Sequence, residues 1–86
     1  MDDLSESTVL AQLRVAFADA SLDLKQVLAP ELALEQIDGL DSVSRVRLML
    51  SIEEIFGIEI SPKENSGLRT VGNLVALIRA KRGIKQ

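Results

Sequence analysis

The chain has 86 residues, carries a formal net charge of −3 and is 47% apolar but only 2% aromatic, with Phe17 and Phe56 its only aromatic side chains. That size predicts one small domain over residues 1–86 with a core of Leu, Ile, Val and Ala, a composition that favours helices over a sandwich. With no cysteine and no histidine there is no disulfide framework, no thiolate metal site and no neutral-pH general base, which argues against most hydrolytic and metal chemistry by this chain alone.

The sequence opens on Asp2-Asp3 rather than a basic segment and a long apolar run, and no apolar run approaches membrane-spanning length, so a soluble cytoplasmic protein with no membrane association is expected. From Ser5 to Ala20 the apolar positions Val9, Leu13, Ala16, Phe17 and Ala20 recur at helical spacing, with Asp3, Ser5 and Ser7 competing as the cap. The connection from Ser21 to Asp41 is long for a compact domain and is expected to be functional or partly structured. Pro30 divides it, and Pro30 to Glu35 reads as a helical turn with proline at its start. Leu22, Leu24, Val27, Leu28, Leu32, Ile37 and Leu40 supply anchors that pin this loop to the rest.

Asp38-Gly39-Leu40-Asp41-Ser42-Val43 is a tight acidic turn running into an apolar helix pattern that continues to Phe56. Gly39 can take backbone angles that other residues resist, and Asp41 is a good N-cap because its carboxylate can accept from free N–H groups of the first turn. Ser42 is thereby held at or beside the first helical position, where a phosphate esterified to its oxygen would lie in the favourable field of the helix N-terminus. Laid out at about 100° per residue, Leu48, Met49, Ile52, Ile55 and Phe56 form the core arc and Ser44, Arg47, Ser51 and Glu54 a solvated one. Val43, Val46 and Leu50 form a narrower apolar strip that either finishes the core or serves for docking, as a small apolar centre ringed by charge often does. Arg45 falls in the apolar arc, its stem along the core and its guanidinium reaching water, with contact to an anionic or polar ligand as the alternative.

Ile58-Glu59-Ile60 reads as an extended link ended by Pro62, and Lys63 to Leu68 as a short helical turn weakened by Asn65 and Gly67. Thr70 caps a last helix in which Val71, Leu74, Val75 and Ile78 make one buried stripe, and Gly83 is its expected stop. The basic residues Arg79, Lys81 and Arg82 complement the C-terminal dipole and with Lys85 make a basic tail. They belong to a divided charge: residues 1–43 carry nine acids and two bases, residues 44–86 four acids and eight bases. An acidic whole without Tyr or Trp for stacking makes nucleic acid an unexpected partner.

Gly39-Leu40-Asp41-Ser42-Val43, then Leu48, Ile52-Glu53-Glu54, Phe56-Gly57-Ile58-Glu59-Ile60 and Thr70-Val71-Gly72-Asn73-Leu74 together resemble the acyl carrier protein family, in one unbroken register over roughly half the chain. The resemblance implies an all-α small four-helix bundle of acyl-carrier-protein type, with three longer helices, one short one and a long first loop. It also implies that Ser42 carries a 4′-phosphopantetheine arm, that Asp41 serves transferase recognition as well as capping, and that Val43, Val46, Arg47, Leu50 and Glu54 dock partner enzymes. The implied partners are a phosphopantetheinyl transferase, an acyl- or aminoacyl-loading ligase and a downstream synthase or transferase. Members serving fatty acid synthesis tend to have an acidic second helix, whereas Arg45 and Arg47 stand in its first two turns here. A carrier of specialised fatty acid, aminoacyl, polyketide or nonribosomal peptide chemistry is therefore expected rather than the housekeeping fatty acid carrier. The chain itself is expected to catalyse nothing. The competing expectation is a helical interaction module of the same fold that is never modified.

Overall fold

A computed structural model describes residues 5–22 and 28–82 of the protein. Among these the architecture is all-α: α1 (Glu6–Asp19), a 3-10 turn (Leu34–Gln36), α2 (Ser42–Phe56), α3 (Pro62–Ser66) and α4 (Val71–Lys81). α1 packs on both α2 and α4, and the three longer helices with one short one match the sequence reading. The predicted anchors Leu24 and Val27, the cap candidate Asp3, and Gly83 and Lys85 at the end lie outside the described residues.

Ser5 wins the cap of α1, its hydroxyl accepting from the Thr8 N–H at 3.4 Å. The helix buries Val9, Leu13, Ala16 and Phe17, positions spaced to form one stripe. Against it lie Leu48, Ile52 and Phe56 from α2 and Val71, Leu74, Val75 and Ile78 from α4, all buried. Such an aliphatic core follows from the composition: with two aromatics, volume is filled by many branched side chains close-packed from three helices.

The long connection is held more by backbone than the leucine spacing suggests. The Pro30 and Leu32 carbonyls accept from the Gly72 and Val71 N–H groups at 2.8 and 2.9 Å, and the Leu34 N–H donates to the Arg69 carbonyl at 2.9 Å. Ala33 and Thr70 thereby form an isolated antiparallel bridge. These bonds satisfy two of the donors that a helix N-terminus leaves orphaned, while Thr70 and Asn73 close a capping box over the next. They also split the helical turn expected over Pro30 to Glu35. Pro30 and Glu31 form a turn closed by the Leu32 N–H donating to the Ala29 carbonyl at 3.0 Å, pairing with the entry to α4 leaves Ala33 extended, and a separate 3-10 turn begins at Leu34. Gly72 permits this close approach, since a Cβ would stand a tight 3.0 Å from the Pro30 carbonyl oxygen. Leu22, Leu28 and Ile37 are buried as expected, with Leu32 and Leu40 partly buried against the core.

Two positions on α2 depart from the arcs read off the sequence. Ser51, placed on the solvated arc, is buried because the end of α1 lies over it, and its hydroxyl donates to Asp19 at 2.8 Å. Ile55, placed on the core face, is 37% exposed, because it sits at the edge of the arc rather than its centre. α2 ends at Gly57, whose φ of 67° lies in the left-handed region that glycine adopts without steric cost. Pro62 does not merely end what precedes it: it occupies the first turn of α3, behind a Ser61–Glu64 capping box.

Candidate functional site

The turn that delivers the chain into α2 is built from local bonds. Gly39 has φ 83°, the left-handed conformation that closes the turn. The Leu40 N–H returns to the Ile37 carbonyl at 3.2 Å and the Asp41 N–H to the Gly39 carbonyl at 3.0 Å. Asp41 is extended, and its carboxylate accepts from the Ser44 N–H at 2.9 Å as the N-cap of α2. Ser42 therefore occupies the first helical position. It is exposed, and its hydroxyl makes no hydrogen bond among the described residues.

The Ser44 backbone N–H, followed by the Ser44 hydroxyl, holds the Asp41 carboxyl below the ordinary aspartate value of 3.8. Glu64 is likewise held below 4.5, chiefly by the Ser61 backbone N–H and then by Lys81, whose ammonium lies 2.9 Å away. In both cases the folded carboxyl is the stronger acid. Its contribution to stability is therefore complete above the ordinary value and is lost as the pH falls through the lowered folded value. The caps of α2 and α3 are expected to loosen together on acidification below about pH 4. A carbon-detected NMR titration checks this: the Asp41 and Glu64 midpoints should fall below 3.8 and 4.5, and midpoints at or above those values would contradict the capping geometry.

Val43, Val46 and Leu50 are 64%, 55% and 59% exposed, so they do not finish the core. Arg47 and Glu54 are exposed as well, and at helical spacing these five side chains share one face. A groove of about 270 Å³ runs beside that face toward α3, lined in part by Val46, Leu50, Ile60 and Pro62.

Arg45 corrects the sequence reading. Its guanidinium does not end in water: Nε donates to the Asn65 Oδ1 at 2.9 Å, and the NH2 nitrogen donates to the Asn65 and Leu68 carbonyls at 2.8 and 3.0 Å. The side chain is half-buried and ties the first turn of α2 to the C-terminal end of α3. Glu53 does the same at the other end of the segment, accepting from the Ile60 N–H at 2.7 Å. Neither role is visible in helical periodicity. The one hint for Arg45 is its position in an apolar arc, where a charge needs partners.

Among the described residues no group of acidic side chains could hold a metal ion, and no helix is long and apolar enough to cross a membrane.

A family profile described as "Phosphopantetheine attachment site" matches residues 11–78. The chain is 44% identical over 45 residues to an acyl carrier protein of Prochlorococcus marinus, a match taking in 52% of this chain and 56% of that protein. It is 32% identical over 79 residues to an acyl carrier protein of Thermosynechococcus vestitus, across 91% of this chain and 96% of that one. The crystal structure of an acyl carrier protein from Thermotoga maritima superposes with a TM-score of 0.75 at 25% identity, over 88% of each chain. The solution structure of a holo acyl carrier protein from Geobacter metallireducens gives 0.71 at 28% identity, over 92% of this chain and 86% of that one.

Proposed function

The chain belongs to the acyl carrier protein family, and from that premise we propose that Ser42 is the residue bearing its phosphopantetheine arm. The protein is a carrier and not an enzyme, and its cofactor is a covalently attached 4′-phosphopantetheine. When bound, that group supplies the thiol on which an acyl group is held as a thioester, the chemistry that a chain without cysteine lacks.

One observation carries the assignment to Ser42: its hydroxyl is exposed and unengaged at the first position of a capped helix. The fit to a phosphodiester is electrostatic as well as steric. An anion on this oxygen lies at the positive end of the α2 dipole, and the Asp41 carboxylate is held by the Ser44 N–H. Asp41 fixes the orientation in which a phosphopantetheinyl transferase meets the serine. The groove between α2 and α3, whose lining starts at Val46 one helical turn beyond Ser42, leaves apolar surface along which the arm can lie.

Residues 1–86 act on this reading as one carrier domain, loaded by an acyl- or aminoacyl-ligase and unloaded by a synthase or transferase in the cytoplasm. Val43, Val46, Arg47, Leu50 and Glu54 form the face that these enzymes meet. A tethered cargo stays near its next active site at high effective concentration. The exposed Arg47 on the first half of α2 supports a specialised pathway, in polyketide, aminoacyl or nonribosomal peptide chemistry, over general fatty acid synthesis.

The test is intact-mass measurement of the whole chain after incubation with coenzyme A, Mg²⁺ and a broadly accepting transferase. One phosphopantetheine should be gained, with peptide fragmentation placing it on Ser42. No gain would favour an unmodified interaction module of the same fold, and a gain elsewhere would overturn the assignment.

A further inference from the structure

We infer that the enzyme face this carrier fits is acidic beside the entrance for the arm, so that a carboxylate on the partner meets Arg47. The inference rests on the carrier reading above and adds the sign and direction of docking.

Four charged side chains lie on α2, but only two of them are presented outward. Arg45 is spent on the Asn65 and Leu68 carbonyls and Glu53 on the Ile60 N–H. Arg47 and Glu54 are left, both exposed and neither in an ion pair among the described residues. Seven residues apart, they lie on the same side of the helix with about 10 Å between them along the axis. Arg47 is the nearer to Ser42.

Beside these charges run Val43, Val46 and Leu50, each more than half exposed, with Arg47 flanking the strip between Val46 and Leu50 and Glu54 one turn beyond Leu50. An apolar strip bordered by charge matches how interfaces are built. The cation lies on the Ser42 side of the anion, so the face fits a partner in one direction only. The Asp41 carboxylate beside Ser42 is exposed but held at the cap by the Ser44 N–H, off the strip that Arg47 flanks. A partner with a basic entrance would set like charge against Arg47, which costs both affinity and encounter rate.

Two purified phosphopantetheinyl transferases serve as probes, one with an acidic and one with a basic surface around its arm-delivery site, and kcat/KM of loading is followed by intact mass at low salt. The unaltered chain should load faster with the acidic-faced enzyme. Arg47→Glu should slow that enzyme and speed the basic-faced one, each by about tenfold, and Arg47→Gln should fall between. Raising the salt should compress the difference. Arg79→Glu, on the exposed last turn of α4, should leave the ratio of the two enzymes unchanged. Arg47 is exposed, so melting curves of its variants should overlay that of the unaltered chain. A ratio that does not move with the sign at position 47, or rates that change in the same direction for both enzymes, overturns the docking inference alone. An unaltered chain that gains no arm from either enzyme overturns the carrier reading, and this inference with it.

Discussion

Replacing Ser42 by alanine is expected to abolish loading completely while leaving the fold untouched. The two outcomes separate because the hydroxyl is exposed and makes no hydrogen bond among the described residues, so its removal leaves no buried group unsatisfied. Such a surface change lies within about 0.5 kcal/mol of neutral. Three of the other described serines are engaged through their side chains: Ser51 donates to Asp19 under α1, Ser66 donates to the Lys63 carbonyl, and Ser61 accepts from the Glu64 N–H. Asp41→Ala should behave differently, lowering stability with the loss of the cap and loading more slowly rather than not at all, since the nucleophilic oxygen remains. Intact mass after transferase treatment and a thermal melt read both variants. A Ser42→Ala chain that still gains phosphopantetheine, or that unfolds, would show that this serine has some other role.

The contrast between Ser42 and Arg45 marks how much of the molecule is legible from sequence. The turn before α2 is assembled from bonds that span two to four residues, so Gly39, Asp41 and Ser42 could be placed from local chemistry. The same holds for α4, where Thr70 and the stripe Val71, Leu74, Val75 and Ile78 are a cap and a face of one helix. The turn at Leu34 escaped because its backbone partners, Arg69, Val71 and Gly72, lie more than thirty residues downstream. Ser51 escaped for a related reason: a helical wheel says which residues share an arc but not which part of the arc a neighbouring helix covers. That same coverage decides what is left in solvent. Val43, Val46 and Leu50 were ambiguous in sequence between core and surface, and the packing of α1 on the Ser51 side of α2 leaves them outside.

Arg45→Met is expected to release α3 from α2 while leaving the packing of α1, α2 and α4 in place. Methionine keeps much of the aliphatic stem, so the loss falls on the guanidinium. Nothing in α3 itself is buried, so the segment is held by its ends and by the Glu64–Lys81 ion pair more than by apolar contact. Removing the arginine leaves the Asn65 and Leu68 carbonyls without their charged donor, and bonds to a charged group contribute more than neutral ones. The half-exposed position lets water replace part of the loss, so a decrease of about 2–4 kcal/mol in stability is expected rather than the full sum. Lysine at 45 should recover little, because its ammonium cannot span the Asn65 side chain and two carbonyls as the planar fork does. Hydrogen exchange distinguishes local release from general weakening: the Gly67 and Leu68 amides, which donate to the Glu64 and Asn65 carbonyls, should lose protection well beyond those of Leu13 or Ile52. Uniform loss throughout the chain would instead make Arg45 a general contributor to stability. Because Ile60, Pro62 and Asn65 form the α3 side of the groove, the same variant should widen that groove without altering Ser42. Loading by the transferase should then proceed unchanged, while binding of an apolar fluorophore in the groove should change.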